Sequence, residues 1–260
     1  MKKPILEAHR GFSGRFPENT LRSFREAVAE GARSIELDIH ASSDGQLIVM
    51  HDETVDRTTN GTGRIADLSL AQLKELDAGA WMGEAFRGTP IPTLDETLEL
   101  TDASGVAFNV EVKRFGSPEQ ARKLVALLER HQPAPGAFHV VSSFDADALL
   151  QVRAAGGRMP LCILGSKADE ILKVAIEHHF EWMHSHFSTV TPSIVAAAHE
   201  AGIRVMIWTL NDATRYDEFV AMGVDKICTN WIREMLAAER IAVQLAAEAA
   251  GQTPEPPKPL

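Results

Sequence analysis

Within its first 52 residues the chain carries His9-Arg10-Gly11, Pro17-Glu18-Asn19-Thr20, Glu36-Leu37-Asp38, Asp44-Gly45 and His51-Asp52. Two histidines, an arginine and two carboxylates at strand spacing suit metal-assisted chemistry on a phosphate ester. Side chains of an extended strand alternate faces, so Glu36 and Asp38 share one face, as do Glu111 and Lys113. Two like charges about 5 Å apart, at an effective dielectric near 20, repel by roughly 3 kcal/mol. A divalent cation removes that penalty, and an all-oxygen set favours Mg²⁺, Ca²⁺ or Mn²⁺ over zinc. Ion pairs with Arg10, Arg33 or Lys113 would explain any one of these acids alone. Three acids (Glu36, Asp38 and Glu111) beside two histidines point to one divalent ion.

His9 and His51 ionise near neutrality when unperturbed, which makes them the natural proton carriers. Arg10 and Lys113 are the candidate phosphate ligands, the arginine with two parallel donors. Asn19 is a candidate either to bond substrate or to hold its own loop. The adjacent Thr20 reads better as the N-cap of the first helix. His184 and His186 also share a face, a spacing that suits zinc in the amidohydrolase barrels. Those barrels carry it on their first strand, where this chain has His9-Arg10, so His186 is a candidate substrate contact instead. Trp208 is either barrel core or an apolar wall for substrate, and its place beside Thr209 at a strand end favours the wall.

The elements that must position these groups alternate from end to end. Strand-like runs are Ile5–His9, Ser34–Asp38, Ala107–Lys113, Phe138–Ser143, Leu161–Leu164, Trp182–His186, Arg204–Thr209 and Lys226–Thr229. Amphipathic helices are expected over Leu21–Glu30, Pro118–Arg130, Ala146–Ala154, Ala168–His178, Thr191–Ala201 and Asp212–Met222, with Gly31, Gly156, Gly202 and Gly223 as stops. Eight strands alternating with helices predict an α/β fold, a parallel (β/α)8 TIM barrel whose carboxyl rim carries the site. Leu47–His51 follows the turn signal Ser43-Asp44-Gly45, so it reads as an antiparallel excursion from the second strand and is not counted as a barrel strand. From about residue 52 to 105 a small insertion is expected, with helical patterns at Leu70–Leu76 and Leu94–Leu100 and a Thr93/Glu96 capping box. Its Trp81, Met82 and Phe86 either line a lid or pack the insertion's own core. An Ala/Glu-rich helix runs from Trp231 to about Ala250. Residues 1–250 thus form one barrel domain, and the Pro-rich tail 251–260 is expected to be disordered.

With 260 residues, 45% hydrophobic and 24% charged, the composition is that of an ordinary soluble globular protein. A formal net charge of −10 argues against a nucleic-acid partner but leaves room for a small phosphate substrate. No apolar run reaches the roughly 20 residues of a membrane span. Met1-Lys2-Lys3-Pro4-Ile5-Leu6 lacks a signal-peptide apolar stretch, and Cys162 and Cys228 read as buried thiols, so a cytoplasmic location is expected.

The set of motifs resembles the glycerophosphodiester phosphodiesterase family. The resemblance rests on the motifs above together with Arg57-Thr58-Thr59-x-Gly61-x-Gly63, Ile91-Pro92-Thr93-Leu94, Glu111-x-Lys113, Ser142-Ser143-Phe144 and Trp208-Thr209, in order along nearly the whole chain. It implies a (β/α)8 barrel with an insertion. It also implies a divalent metal on Glu36, Asp38 and Glu111, acid–base catalysis by His9 and His51, and phosphate held by Arg10 and Lys113. The implied reaction is hydrolysis of a glycerophosphodiester to sn-glycerol 3-phosphate and an alcohol, attacked by water or by the substrate's own glycerol 2-hydroxyl. A lysophospholipid substrate ranks second, and a catalytically silent binding protein ranks third because no metal acid or histidine is lost. Two departures stand out: Ser42-Ser43 before Asp44-Gly45, where Thr-Lys is common, and Thr229-Asn230-Trp231, where Thr-Asp and a nearby proline are common. Neither is expected to touch a metal ligand or a proton carrier.

Overall fold

The computed structural model describes residues 3–249. Eight parallel strands close into a barrel: β1 (Ile5–His9), β2 (Ser34–Ala41), β4 (Ala107–Val112), β5 (Val140–Ser143), β6 (Leu161–Gly165), β7 (Trp182–His186), β8 (Arg204–Trp208) and β9 (Lys226–Thr229). β1 pairs with both β2 and β9, which completes the ring. The ninth strand, β3 (Leu47–Val49), pairs antiparallel with β2 through Ile39↔Val49 and Ala41↔Leu47, as the turn signal predicts. That pairing also extends β2 three residues beyond the expected Asp38, because the hairpin supplies partners there.

Helices cover the outside: α1 (Leu21–Ala29), α3 (Leu94–Ser104), α4 (Pro118–Arg130), α5 (Ala146–Ala154), α6 (Ala168–His178), α7 (Pro192–Glu200), α8 (Tyr216–Met222) and α9 (Ile232–Ala249). Their starts follow the side chains named above. Thr20 caps α1 by accepting from the Ser23 amide, and Thr93 with Glu96 forms the capping box of α3. The first turn expected at Asp212 is a separate 3₁₀ turn, Ala213–Arg215, capped by Asp212. Phe138 and His139 precede β5 without joining it; His139 instead bonds the Phe108 amide. The expected tail at 251–260 lies outside the described residues.

Alternate strand residues divide between two cores. Outward-facing Ala8, Ile35, Leu37, Phe108, Val110, Val141, Ile163, Met183, Val205 and Ile227 join the main core under the helices. Inside the ring, Val140, Cys162, Trp182, Met206 and Cys228 form a second cluster, which is where both free thiols lie. Much of the remaining lumen is polar. Buried Lys226 contacts Glu7 Oε2 at 2.7 Å, Ser34 donates to the same oxygen, and Asn109 Nδ2 donates to Glu7 Oε1 at 3.1 Å. β4 and β1 are not neighbours, so this last bond crosses the barrel. A buried ion pair is tolerable only when its remaining lone pairs are satisfied in this way.

The segment between β3 and α3 contains α2 (Leu70–Lys74) and no barrel strand. Its own small core is Ile48, Met50, Val55, Ile65, Leu73, Ala78 and Ile91. Trp81, Met82 and Phe86 stay outside that cluster: Trp81 is exposed, and the Phe86 ring lies 5.9 Å from Phe16 in the loop after β1. Among the described residues, no helix is long and apolar enough to cross a membrane.

Two buried histidines set an acid limit on this fold. The Phe108 amide donates to His139 Nδ1, and His139 Nε2 donates to the His131 carbonyl, so the neutral ring is fully used. His184 is wholly buried in the lumen. Burial pushes both below their ordinary 6.5, His184 well below, with Lys226 adding to its shift. Near pH 6.5 and below, the unfolded chain takes up protons that the folded one refuses. Their contribution to stability is therefore whole above about pH 6.5 and declines as pH falls through that value. At pH 5 each histidine is expected to remove up to about 2 kcal/mol. Urea midpoints at pH 7.5 and pH 5 check this, and an unchanged or higher midpoint at pH 5 would refute it.

Candidate active site

The carboxyl rim of β1, β2 and β4 gathers the acids. Strand register sets His9 beside Glu36 and Asp38 beside Glu111. One carboxylate oxygen from each of Glu36, Asp38 and Glu111 lies within 4.8 Å of the others, and all three side chains are buried. This is the one such acid, histidine and cysteine cluster found among the described residues.

The chain at His9-Arg10-Gly11 is built for close approach. Gly11 has φ +82°, and a Cβ there would sit 2.4 Å from Ser23 Oγ and 2.7 Å from the Ser23 carbonyl carbon, so only glycine fits against α1. Arg10 (φ +55°) and Asn19 (φ +56°) are also left-handed, a conformation that non-glycine residues adopt at some cost and mostly where a site demands it. The kink aims the Arg10 amide at Glu36 Oε2, 2.9 Å away. Asn19 Nδ2 donates to Asp38 Oδ2 at 2.8 Å, so this buried asparagine holds a candidate metal ligand and the strand-one loop. Asn19 thus has the loop-holding contact expected of it, and it also borders a recess at the rim.

Arg10 and Lys113 sit between the acids. Arg10 Nε is 3.3 Å from Asp38 Oδ2, and Lys113 Nζ is 2.6 Å from Asp38 Oδ1 and in contact with Glu111. The ion pairs weighed against a metal site therefore do form, but two cations face three carboxylates. Burial, with Asp38 beside it, pushes Glu36 well above the usual carboxylate range, and the same causes push Glu111 up to about 7. Burial also works against ionised Asp38, but Lys113 and Arg10 outweigh it and hold Asp38 well below its ordinary value. Glu36 Oε1 is buried with no hydrogen-bond partner. An under-neutralised, all-oxygen cluster with an orphaned oxygen fits a hard divalent ion.

The two histidines have different partners. His9 Nδ1 donates to Asn230 Oδ1 at 2.6 Å, which leaves Nε2 unprotonated and 3.9 Å from Glu36. Burial, with Arg10 nearby, pushes His9 down to about 4. His51 Nδ1 faces the Asp52 carboxylate at 2.6 Å, and its backbone carbonyl accepts from His40 Nε2. The Asn230 contact corrects the expectation that the Thr229-Asn230-Trp231 departure touches no proton carrier. Barrel closure pairs Ala8 with Thr229, so the next residue on each strand end meets across the seam. The signal in the sequence is the position of Asn230 just past the last barrel strand, on the rim that carries the site.

The expected contacts Asn19, His186 and Trp208 separate into two groups. Glu18, Asn19, His51 and Thr58 line one recess beside the acids. His186 and Trp208 lie across the mouth on β7 and β8, their rings 5.5 Å apart, with the half-exposed Phe144 packed edge-on to Trp208 at 5.9 Å. Trp208 Nε1 donates to the His184 carbonyl, which fixes the indole as part of this aromatic rim. The His184 ring points into the lumen and is not at the mouth. Glu18 and Asn230 are polar partners whose roles no local pattern in the sequence indicates, whereas Asp52 is the sequence neighbour of the histidine it bonds.

A family model described as the glycerophosphoryl diester phosphodiesterase family matches residues 9–234. The chain is 33% identical over 231 residues to a glycerophosphodiester phosphodiesterase of Caldanaerobacter subterraneus subsp. tengcongensis, covering 88% of this chain and 94% of that one. It superposes with a TM-score of 0.85 on a phosphodiesterase of Oleispira antarctica in complex with the product sn-glycerol-3-phosphate, at 31% identity over 92% of this chain and 97% of that one. A glycerophosphodiester phosphodiesterase from Agrobacterium tumefaciens gives a TM-score of 0.80 at 28% identity, covering 91% and 100%.

Proposed function

The chain belongs to the glycerophosphoryl diester phosphodiesterase family and is an enzyme of that class, and on that premise we propose that it hydrolyses glycerophosphodiesters to sn-glycerol 3-phosphate and an alcohol, with a divalent ion and with His9 and His51 as proton carriers. The observation that carries this is the cluster of Glu36, Asp38 and Glu111 between two histidines whose partners differ in charge. These three acids would hold the ion, which when bound would supply a Lewis acid for the phosphoryl oxygens.

The remaining chemistry belongs to the chain. Arg10 and Lys113, already paired with the acids, contribute positive charge where the phosphoryl oxygens gain negative charge in the transition state. His9 keeps its proton on Nδ1, bonded to a neutral amide oxygen, so its Nε2 lone pair is free to accept. It is the base for the attacking hydroxyl. His51 instead bonds a carboxylate through Nδ1, and on that difference in partners we assign it as the acid. As the new P–O bond forms, the proton of the attacking oxygen passes to His9. As the P–O bond to the alcohol breaks, His51 gives that oxygen its proton. General acid–base steps of this kind are each worth about 10²- to 10⁴-fold.

The test follows choline release from glycerophosphocholine and from lysophosphatidylcholine, in EDTA and after addition of Mg²⁺, Ca²⁺ or Mn²⁺. Metal-dependent release from glycerophosphocholine is expected. No release with any of the three ions would reject the assignment. Undiminished release after prolonged chelation would reject the metal, and a preference for lysophosphatidylcholine would move the substrate to lysophospholipids.

A further inference from the structure

We infer that Arg57 is a positioning residue that ties the two active-site loops together, acting through Asp52 on His51 and through Glu18 on Arg10. Its guanidinium forks to both carboxylates. Nε is 2.7 Å and Nη2 3.0 Å from the two Asp52 oxygens, and Nη1 is 3.1 Å and Nη2 2.8 Å from the two Glu18 oxygens. Each carboxylate has a second duty. Asp52 Oδ1 bonds His51 Nδ1, and Glu18 Oε1 accepts from Arg10 Nη1 at 2.9 Å. A continuous path His51–Asp52–Arg57–Glu18–Arg10 therefore joins the loop after β3 to the loop after β1.

An isolated surface ion pair contributes little, because two long side chains lose freedom for a weak attraction in water. Arg57 differs in three ways. It pairs bidentately, a geometry that lysine cannot reproduce. Its partner Glu18 is 15% exposed and already fixed by Arg10. The backbones at His51 and Arg10 are each tied separately to β2, through His40 and Glu36, and Arg57 adds a side-chain link between the two loops themselves. Groups that orient a site residue without touching substrate are typically worth about 10- to 100-fold.

This inference rests on His51 and Arg10 being in the site, and the test separates the two. Arg57→Met, Arg57→Lys, Asp52→Asn, Arg57→Met/Asp52→Asn and His51→Ala are assayed together on glycerophosphocholine, with thermal midpoints alongside. Arg57→Met is expected to lower kcat about 10- to 100-fold at an unchanged thermal midpoint. The double variant should lose clearly less than the product of the two single losses, because both substitutions act in part through the same Asp52–His51 contact. Arg57→Lys should restore charge and KM more than kcat. Wild-type kcat for Arg57→Met, multiplicative losses in the double variant, or full recovery by Arg57→Lys would each overturn the assignment. An active His51→Ala would instead overturn the reading beneath it.

Discussion

Glu36→Gln is expected to lower kcat/KM by on the order of 10³, about 4 kcal/mol, without harming the metal-free fold. The two halves of that result share one cause. Glu36 is buried against Asp38 and Glu111, and the metal-free protein already holds its carboxyl well above the ordinary range. Glutamine reproduces the uncharged shape and still accepts from the Arg10 amide. It cannot supply the charge that a divalent ion needs. The metal-free variant should therefore melt at or above the wild-type temperature, while stabilisation by added Mg²⁺ disappears. Asp38→Asn should lose as much activity but also melt lower. Asp38 is the acid that Lys113, Arg10 and Asn19 all contact, so its loss leaves buried cations short of a partner. Calorimetric metal titration and thermal melts distinguish the two variants. Wild-type-like metal binding by Glu36→Gln would remove Glu36 from the ligand set.

The second large effect separates the histidines by leaving group. His51→Ala is expected to cost about 10³ in kcat on glycerophosphocholine, whose choline alkoxide leaves poorly without a proton. On a glycerol phosphodiester of p-nitrophenol the leaving oxygen is already a weak base, so most of that loss should vanish. His9→Ala should lose a similar factor on both esters, because the attacking hydroxyl is the same. The prediction follows from the partners: a neutral amide on His9 and a carboxylate on His51. Equal losses on both esters for both variants would reject the assignment of acid and base. The reverse pattern would exchange the two roles.

Much of this site is legible in the sequence, because its parts are local. Glu36 and Asp38 alternate with buried Ile35 and Leu37 on one strand, and the period of two alone puts both acids in the lumen. Ser43-Asp44-Gly45 announces the hairpin that carries the chain to His51, and Thr20 and Thr93 mark their helix starts. Where sequence and structure part, the missing information is a partner at a distance. Nothing local ties Asn230 to a proton carrier, yet it holds His9 across 221 residues of sequence. Asn19 has two roles open to it in the sequence, and only the approach of the β1 loop to β2 gives it Asp38. Trp81 and Phe86 suit a lid or a core equally by type, and the packing of Phe86 against Phe16 depends on how the insertion lies over the first loop.

By itself, then, the sequence determined the barrel, the hairpin and the strand positions that bring Glu36, Asp38 and Glu111 together. Those depend on alternation, helix stops and turn residues within a few positions of one another. Tertiary structure alone decided that a neutral amide, Asn230, stands behind His9, and that Arg57 bridges the loops of Glu18 and Asp52. Those pairings arise where β1 meets β9 and where two loops converge on one rim. Closing the ring brings together residues that no local period relates, and the chemistry of His9 depends on which of them it meets.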